Sequence, residues 1–185
     1  MIGVHMTENQ NVLTPRAPAS AAELRWYAAY TRAHHEKSVS RQLELRSIES
    51  FLPLYEKLSR WKDRRVKVQL PLFSGYVFVR MAMEERLRVL QIPSVVCLVG
   101  FNGQPAALQE EEMEAMRNGL SGGLHAEPHP YLRVGRLVRI KSGPLAGLQG
   151  VLLRKKARYR FVLSLELIQR SLVVDVDAAD IMAVA

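Results

Sequence analysis

The sequence PLFSGYVFVR, residues 71–80, is the stretch from which the fold can be worked out. From its glycine onward, aromatic and β-branched residues predict a β-strand, because such side chains suit a pleated, half-buried surface. Alternation places Tyr76, Phe78 and Arg80 on one face of that strand and valines on the other, where helices are expected to pack. The aromatic face leaves two alternatives open. It is either a second core layer, which the pattern alone favours, or an exposed surface for a protein partner.

The sequence around this strand predicts an antiparallel sheet with short helices. The predicted strands span 24–30, 50–57, 66–70 and 94–101, and the predicted helices span 31–47, 84–91 and 108–118. A basic segment at 58–65 is expected to form the tip of a hairpin, and Asn-Gly at 102–103 is expected to form a turn. Gly119 is placed as the glycine that ends the third helix. This order of elements gives the α+β class.

The second half of the chain predicts a separate, all-β domain. Residues 119–130 have the composition of a linker, so the expected division is a disordered leader at 1–22, a domain at 23–118 and a domain at 131–185. Strands are predicted at 137–140, 151–153, 159–167 and 172–176. Their alternation is typical of a small closed barrel with one solvated face. We expect this domain to remain β in the free protein and to tumble separately, which would leave the aromatic side chains open.

Positive charge is segregated along the chain, whose net charge is +8 and whose pI is about 9.9. Residues 32–65 hold nine Lys/Arg and five Asp/Glu, and residues 131–165 hold nine Lys/Arg and no acid. Four glutamates cluster at 110–114, where the first turn of a helix favours them. This distribution suits a polyanionic partner such as a nucleic acid, and a solvated basic surface is the alternative.

The sequence carries no enzyme signature. It has no phosphate-binding glycine motif opening a helix, no nucleophile elbow and no Cys/His set at metal spacing, so we predict a binding protein without metal or cofactor. Cys97, the only cysteine, is expected to be a buried thiol. No apolar run approaches the ~18 residues of a membrane span, and no signal peptide is recognisable, which makes a cytoplasmic location the expectation.

Two motifs in the expected order resemble one family of transcription factors. VRIKSGPLAGLQGV at 138–151 looks like the KOW motif, with matching positions at Arg139, Gly143, Pro144, Gly147 and Gly150. Trp-Tyr at 26–27 and FSGYVFV at 73–79 resemble the N-terminal (NGN) domain of NusG-type factors. The resemblance covers about residues 24–183 and implies an NGN domain followed by an SH3-like KOW barrel. The basic hairpin looks closer to the UpxY and RfaH paralogues, which act on operons for surface polysaccharides.

The resemblance implies an elongation and antitermination factor that binds RNA polymerase across its DNA cleft and disfavours the paused enzyme. The family touches the polymerase clamp helices with aromatic side chains, and the matching positions here are Tyr30, Phe73, Tyr76 and Phe78. This match favours the exposed-surface alternative for the aromatic strand. Arg88 matches a second contact on the opposite wall of the cleft. The family usually has Pro where this chain has Ser74.

The resemblance also implies contacts to DNA and to other proteins. The residues that fall where the paralogues meet the non-template strand are Arg32, His35, Lys37 and Arg41. Cations suit phosphates, and a planar ring can stack on an unpaired base. Ile168 occupies the place of an apolar residue that contacts ribosomal protein NusE or the factor Rho. An aliphatic side chain there resembles RfaH more than housekeeping NusG, which has Phe, and so does not support Rho as a partner. We expect a monomer, and a ribosome-associated RNA-binding KOW protein is the alternative function.

Overall fold

The computed structural model describes residues 23–61, 64–129, 136–155 and 158–184. Its helices are α1 (Glu36–Leu45), α2 (Arg86–Leu90) and α3 (Glu110–Ser121). Its strands are β1 (Arg25–Thr31), β2 (Glu49–Phe51), β3 (Leu54–Trp61), β4 (Arg64–Pro71), β5 (Tyr76–Met81), β6 (Val95–Leu98), β7 (Gly100–Phe101), β8 (Gln104–Pro105), β9 (Ala126–His129), β10 (Arg136–Ile140), β11 (Gln149–Lys155), β12 (Arg158–Leu165), β13 (Arg170–Val176) and β14 (Ile181–Ala183). Short 3-10 turns lie at Met83–Glu85, Glu166–Ile168 and Ala178–Asp180. The predicted α+β class is confirmed.

The N-terminal sheet has the strand order β2-β5-β1-β6, and β5 pairs with β1 so that Tyr30 lies opposite Tyr76. The aliphatic face of β5 packs on α1, as predicted, in a buried cluster with Val39 and Leu43. Trp26 and Phe78 lie on the opposite face, in a cluster with two methionines of α3. The sheet is therefore covered on both faces, as the alternating apolar residues of β1 and β5 require.

The strands β3 and β4 form a hairpin of their own, paired from Leu54–Pro71 to Trp61–Arg64. The predicted hairpin is confirmed, and its return strand β4 is longer than the predicted 66–70. The single strand predicted at 50–57 is wrong, because this range is divided between β2 of the sheet and β3 of the hairpin. Residues 62–63 of the expected tip lie outside the described residues. The prediction of one buried strand at 94–101 is wrong. The range contains two short strands, β6 and β7. Cys97 on β6 is exposed, because β6 lies at the edge of the sheet and has a neighbouring strand on one side only.

The end of α3 differs from the sequence prediction. Gly119 lies inside the helix, and Gly123, with φ +85°, is the residue that ends it. The Gly123 N–H donates to the Leu120 carbonyl (3.2 Å) and the Leu124 N–H donates to the Gly119 carbonyl (2.9 Å), which is the Schellman arrangement. Position 119 leaves little room for a side chain, since a Cβ there would lie 3.1 Å from the Leu124 side chain.

The expected linker, 119–130, contains more regular structure than its composition suggests. Residues 119–121 belong to α3, and 126–129 form β9, so 122–125 are the residues between helix and strand. Pro130 and the predicted domain start at 131–135 lie outside the described residues, as does the leader at 1–22. The division into domains stays a prediction.

The C-terminal region forms one antiparallel sheet with the order β14-β10-β11-β12-β13-β9. The four predicted strands are present, and β9 and β14 at the two edges were not predicted. Phe161, Leu163 and Leu165 on β12 face the main core, while Val162 faces a smaller cluster on the other side of the sheet. The described residues of this region thus form strands and short 3-10 turns, in agreement with the predicted all-β part.

A single buried cluster joins the two parts of the molecule. It contains Phe73 and Phe78 from the N-terminal sheet, Met113 from α3, and Phe161 and Ile168 from the C-terminal domain. The expectation that the two domains tumble separately is therefore wrong for this structure. The physical reason is that both sides present apolar side chains, and their burial stabilises the contact by roughly 25 cal/mol per Å² of apolar surface removed from water.

Candidate functional site

The four aromatic residues singled out in the sequence come together, and we call Tyr30, Phe73, Tyr76 and Phe78 the aromatic cluster. The ring centroids of Tyr30 and Tyr76 are 5.5 Å apart and tilted by 48°, and those of Phe73 and Phe78 are 5.5 Å apart in an edge-on arrangement. Phe51 extends the cluster, with its ring 6.2 Å from Phe78. These distances lie in the range where aromatic pairs attract beyond their area of burial.

A tight turn before β5 sets the positions of these rings. Gly75 has φ +87°, a conformation that costs free energy for residues with a Cβ, and its missing side chain leaves room for the Tyr30 ring, 3.2 Å from where a Cβ would lie. The Tyr76 N–H donates to the Phe73 carbonyl (3.1 Å), and the Thr31 N–H donates to the Gly75 carbonyl (2.8 Å). The turn therefore locks the end of β5 to the end of β1, and the two tyrosines stand side by side.

A buried carboxylate, Glu36 at the start of α1, also holds this turn. Glu36 is 3% exposed, and its Oε1 accepts the Gly75 N–H at 2.7 Å. A hydrogen bond to a charged acceptor is stronger than one between neutral groups, so this contact anchors the aromatic turn to α1. Sequence reasoning missed Glu36, because its only signal was an acid in the first turn of a helix, and its partner lies 39 residues away.

The accessibility of the aromatic cluster differs from the expectation. Tyr30 is 42% exposed and Tyr76 is partly buried, but Phe73 and Phe78 are 1% and 0% exposed. The expectation of an exposed surface is thus wrong for the two phenylalanines. They lie in the cluster shared with α3 and the C-terminal domain, from which the Arg170 guanidinium reaches 5.9 Å from the Tyr76 ring centroid. Their role in binding a partner stays a prediction.

Arg80, the arginine in line with the aromatic rings, belongs to an ion-pair network. It lies 2.8 Å from Glu110 and 3.7 Å from Glu49, and Glu49 also pairs with Arg117 at 2.7 Å. The Arg117 guanidinium in turn lies 5.3 Å from the Trp26 ring centroid. This network fixes α3 across the sheet beside the aromatic cluster. Arg80 is therefore already paired with carboxylates of its own chain, so it is not available to bind a partner.

The predicted DNA-contact residues form a basic surface at the start of α1. Arg32, His35, Lys37 and Arg41 are all exposed. The His35 Nδ1 lies 3.0 Å from the Ser94 hydroxyl, which holds the imidazole in place, and the Lys37 ammonium donates to the Gln69 carbonyl of the hairpin at 2.7 Å. Lys37 and Arg41 are four residues apart, so they share one face of the helix.

Arg88 lies on α2, apart from this basic surface, and is half exposed. Its guanidinium pairs with Glu85 and donates to the Arg46 carbonyl at 2.9 Å, while Arg46 donates to the Arg88 carbonyl at 3.2 Å. These reciprocal bonds tie α2 to the end of α1. Leu87 beside it is 59% exposed, so the predicted second contact presents one apolar and one cationic side chain.

The predicted partner contact in the C-terminal domain is not accessible. Ile168 is 4% exposed and belongs to the cluster that contains Phe73 and Phe78, so the expectation of a partner-facing side chain is wrong for this arrangement. It lies in a 3-10 turn closed by Gln169, whose φ is +49°. Ile168 and the two phenylalanines thus belong to one buried cluster that spans both domains.

The KOW-like loop takes the backbone conformation that its glycines permit. Gly143 and Gly147 have φ of +83° and +89°, and a Cβ at Gly150 would lie 2.5 Å from the Phe161 ring. Arg139 and Pro144 are exposed. The loop also touches α3, since the position of a Cβ at Gly119 lies 3.4 Å from the Leu145 side chain and 3.7 Å from that of Pro144.

Glu112 on α3 has a pKa well above its ordinary value. Burial, followed by the nearby carboxylates of Glu166 and Glu111, raises the pKa of Glu112 from 4.5 to about 7. Glu166 belongs to the C-terminal domain, so a smaller part of this effect comes from the other domain. This shift could not be predicted from the sequence, because the four glutamates at 110–114 have the pattern of an ordinary acidic first turn. Within the described ranges, no three His, Cys, Asp or Glu residues are grouped so that they could hold a metal, and no helix is long and apolar enough to cross a membrane.

The chain resembles known proteins over most of its length. Proteins named transcription termination/antitermination protein NusG match it in Vibrio vulnificus (27% identical over 145 residues, covering 71% of this chain and 80% of the relative) and in Pseudomonas aeruginosa (29% over 140 residues, 69% and 79%). A solved structure described as "Domain interaction in Thermotoga maritima NusG" covers 90% of this chain and 100% of its own, with a TM-score of 0.54 and 23% identity. That likeness shows the fold.

The family model described as "Transcription termination factor nusG" matches residues 24–117, which is half of the chain. The matched range contains the aromatic cluster, Glu36 and the basic surface of α1. The chain belongs to the NusG family of transcription termination and antitermination factors.

Proposed function

We propose that this chain is a transcription elongation and antitermination factor that binds RNA polymerase through the aromatic cluster. The observation that carries this proposal is the turn at Gly75. It holds Tyr30 and Tyr76 side by side at the rim of the core, with Tyr30 42% exposed. Aromatic side chains in preorganised positions are the usual anchors of protein interfaces, because they add contact area at a low cost in entropy.

The proposed mechanism is a bridge across the DNA cleft of the polymerase. The aromatic cluster would contact the clamp helices on one wall, and Arg88 with its exposed neighbour Leu87 would contact the other. A ligand that binds the closed clamp better than the open one shifts the enzyme towards the closed, elongating state. No enzymatic step and no cofactor enter this mechanism, and it places the protein in the cytoplasm, acting as a monomer.

The basic surface of α1 would contact the non-template DNA strand in the same complex. Arg32, Lys37 and Arg41 supply exposed cations for phosphates, and His35, held by Ser94, supplies a ring for stacking. Lys37 links α1 to the hairpin, so the two basic elements would meet DNA as one surface.

The C-terminal domain would act as a KOW domain with its own partner once it leaves the aromatic cluster. Ile168 would then be free to contact a ribosomal protein of the NusE type, and its aliphatic side chain does not support Rho as the partner. The basic hairpin supports membership of the operon-specific UpxY/RfaH paralogues, with surface-polysaccharide operons as targets.

The proposal is tested by the affinity of the full-length chain for core RNA polymerase. Tyr30→Ala should lower this affinity by roughly 30-fold or more, because truncation of an anchor residue typically costs about 2 kcal/mol or more. Phe101→Ala is the control, since Phe101 is 69% exposed on another strand and should leave the affinity unchanged. An equal affinity of wild type and Tyr30→Ala, or retention on ribosomal subunits rather than polymerase, would contradict the proposal.

A further inference from the structure

The strand β2 lies at the open edge of the N-terminal sheet, where β5 is its one neighbour. In an antiparallel pair, residues whose backbone groups point to the partner alternate with residues whose groups point away from it. The Thr31 N–H donates to the Gly75 carbonyl at 2.8 Å, so every second residue of β5, counted from Gly75, points to β1. The backbone groups of Phe78 and Arg80 therefore point the other way, to β2.

The register leaves Ser50 as the residue of β2 that faces the open edge. Glu49 lies opposite Arg80 and Phe51 lies opposite Phe78, so the sheet ladder uses the backbone groups of Glu49 and Phe51. The N–H and the carbonyl of Ser50 then point outward. Within the described residues, neither group has a backbone hydrogen bond outside the sheet. Such an outward pair can accept an added strand through two main-chain hydrogen bonds.

Two grooves flank this edge, one on each face of the sheet. The groove on the α1 side has a volume of about 540 Å³ and is lined by Ser40, Glu44, Ser47, Ile48, Glu49 and Ser50. The groove on the α3 side has a volume of about 770 Å³, and its lining includes Phe51, Leu54 and Leu120. Successive residues of a strand point to opposite faces, so the side chains of an added strand would enter the two grooves alternately.

The two grooves differ in chemistry. Among the described residues, the exposed Glu44 has no ion-pair partner, and no lysine or arginine lines its groove. The charged residues of the α3-side groove already pair with one another, which leaves the apolar surface of Phe51, Leu54 and Leu120. The α1-side groove therefore suits a basic side chain, and the α3-side groove suits an apolar one.

We propose that β2 is a docking site for an extended segment of a partner protein in which a lysine or arginine alternates with apolar residues. The basic residue lies opposite Ser50 and reaches Glu44, and the apolar neighbour opposite Phe51 packs in the α3-side groove. Because β2 has only 3 residues, the main chain contributes few bonds and the two grooves supply the selectivity. The site goes beyond the proposed function, since none of its residues is among those proposed to contact polymerase or DNA.

Docking is tested on the full-length chain with a labelled peptide, Ser-Thr-Leu-Lys-Leu-Thr-Ser, whose symmetric pattern suits either strand direction. In hydrogen exchange followed by NMR, saturating peptide should slow the Ser50 amide by about 10-fold or more, because its N–H gains a partner. The amides of Glu49 and Phe51 should change little, since the ladder with β5 already holds them.

The charge of the peptide and of Glu44 tests the selectivity by fluorescence anisotropy. A peptide with glutamate in place of lysine should bind about 5-fold more weakly, a modest factor because the ion pair is exposed. Glu44→Lys should reverse this preference. Glu84→Lys is the matched control, since it makes the same charge change at an exposed site that lines neither groove, and it should keep the wild-type preference.

Ser50→Pro tests the main-chain contact. It removes the outward N–H and keeps the ladder bonds of its neighbours, as a proline on the outer side of an edge strand allows, and it should lower the affinity by about 5-fold. Binding of neither peptide at about 1 mM would overturn the proposal, as would an unchanged Ser50 amide or an unchanged preference in Glu44→Lys. Self-association of the chain that Ser50→Pro abolishes would assign the edge to a second copy and would also overturn it.

Discussion

At the scale of the residue, a carboxylate that is almost fully buried costs free energy unless hydrogen bonds replace its lost water. Glu36 gains such a bond from the Gly75 N–H, and in return it fixes the backbone conformation from which Tyr76 projects. The aromatic residues themselves could be identified in the sequence from their alternation. Glu36 could not, because a buried carboxylate and an exposed one at the start of a helix look the same in a sequence.

Glu36→Ala should destabilise the chain by about 1–3 kcal/mol, since it removes the acceptor of a buried N–H. It should also weaken polymerase binding at temperatures where the chain remains folded, because the turn that presents Tyr30 and Tyr76 loses its anchor. Urea unfolding and polymerase titration measure the two effects. Glu44→Ala, an exposed site on the same helix, is the control. If both substitutions changed stability equally, Glu36 would have no special part in holding the turn.

At the scale of the element, the sequence predicts those strands and helices whose patterns are long and local. The central strands β1 and β5 and the helix α1 have clear periodicity, and all three are present. The edge strand β9, Ala126–His129, was missed because it is short and contains a proline, which is tolerated only at the edge of a sheet. Burial of Cys97 was predicted wrongly, since periodicity does not show whether a strand lies at the centre or at an edge.

The basic face of α1 gives the prediction that belongs to this scale. The double substitution Lys37→Ala and Arg41→Ala should weaken binding to a labelled single-stranded oligonucleotide. It should also reduce the slope of log affinity against log salt by about 1.4, because each lost phosphate contact on a single strand contributes roughly 0.7. Fluorescence anisotropy over a series of salt concentrations measures both quantities. Arg25→Ala, whose guanidinium pairs with Glu23, is the control, and an unchanged salt slope in the double variant would count against the DNA contact.

At the scale of the whole molecule, the domain arrangement could not be predicted from the sequence. The glycines and prolines of 119–130 indicated a flexible linker, yet α3 includes 119–121 and β9 includes 126–129. The docked surfaces come from segments far apart in the chain, such as Phe73 and Ile168, and each looks like an ordinary core residue of its own domain. The contact depends on the match between two surfaces, which periodicity within one segment does not reveal.

The central claim is that the C-terminal domain covers a polymerase-binding aromatic cluster. Gly119→Arg tests it most directly. A Cβ at position 119 would already touch Leu145 (3.4 Å) and Pro144 (3.7 Å) of the docked domain, as well as Leu124 (3.1 Å), so a long Arg side chain must displace them, and it leaves the aromatic residues unchanged. Asn118→Arg adds the same charge at an exposed neighbouring position and is the matched control. The measurement is the affinity of each full-length variant for core RNA polymerase. We expect Gly119→Arg to bind about 10-fold more tightly than both wild type and Asn118→Arg, since the cost of undocking is removed. An affinity equal to or below that of wild type, in a variant that is folded, would contradict the claim.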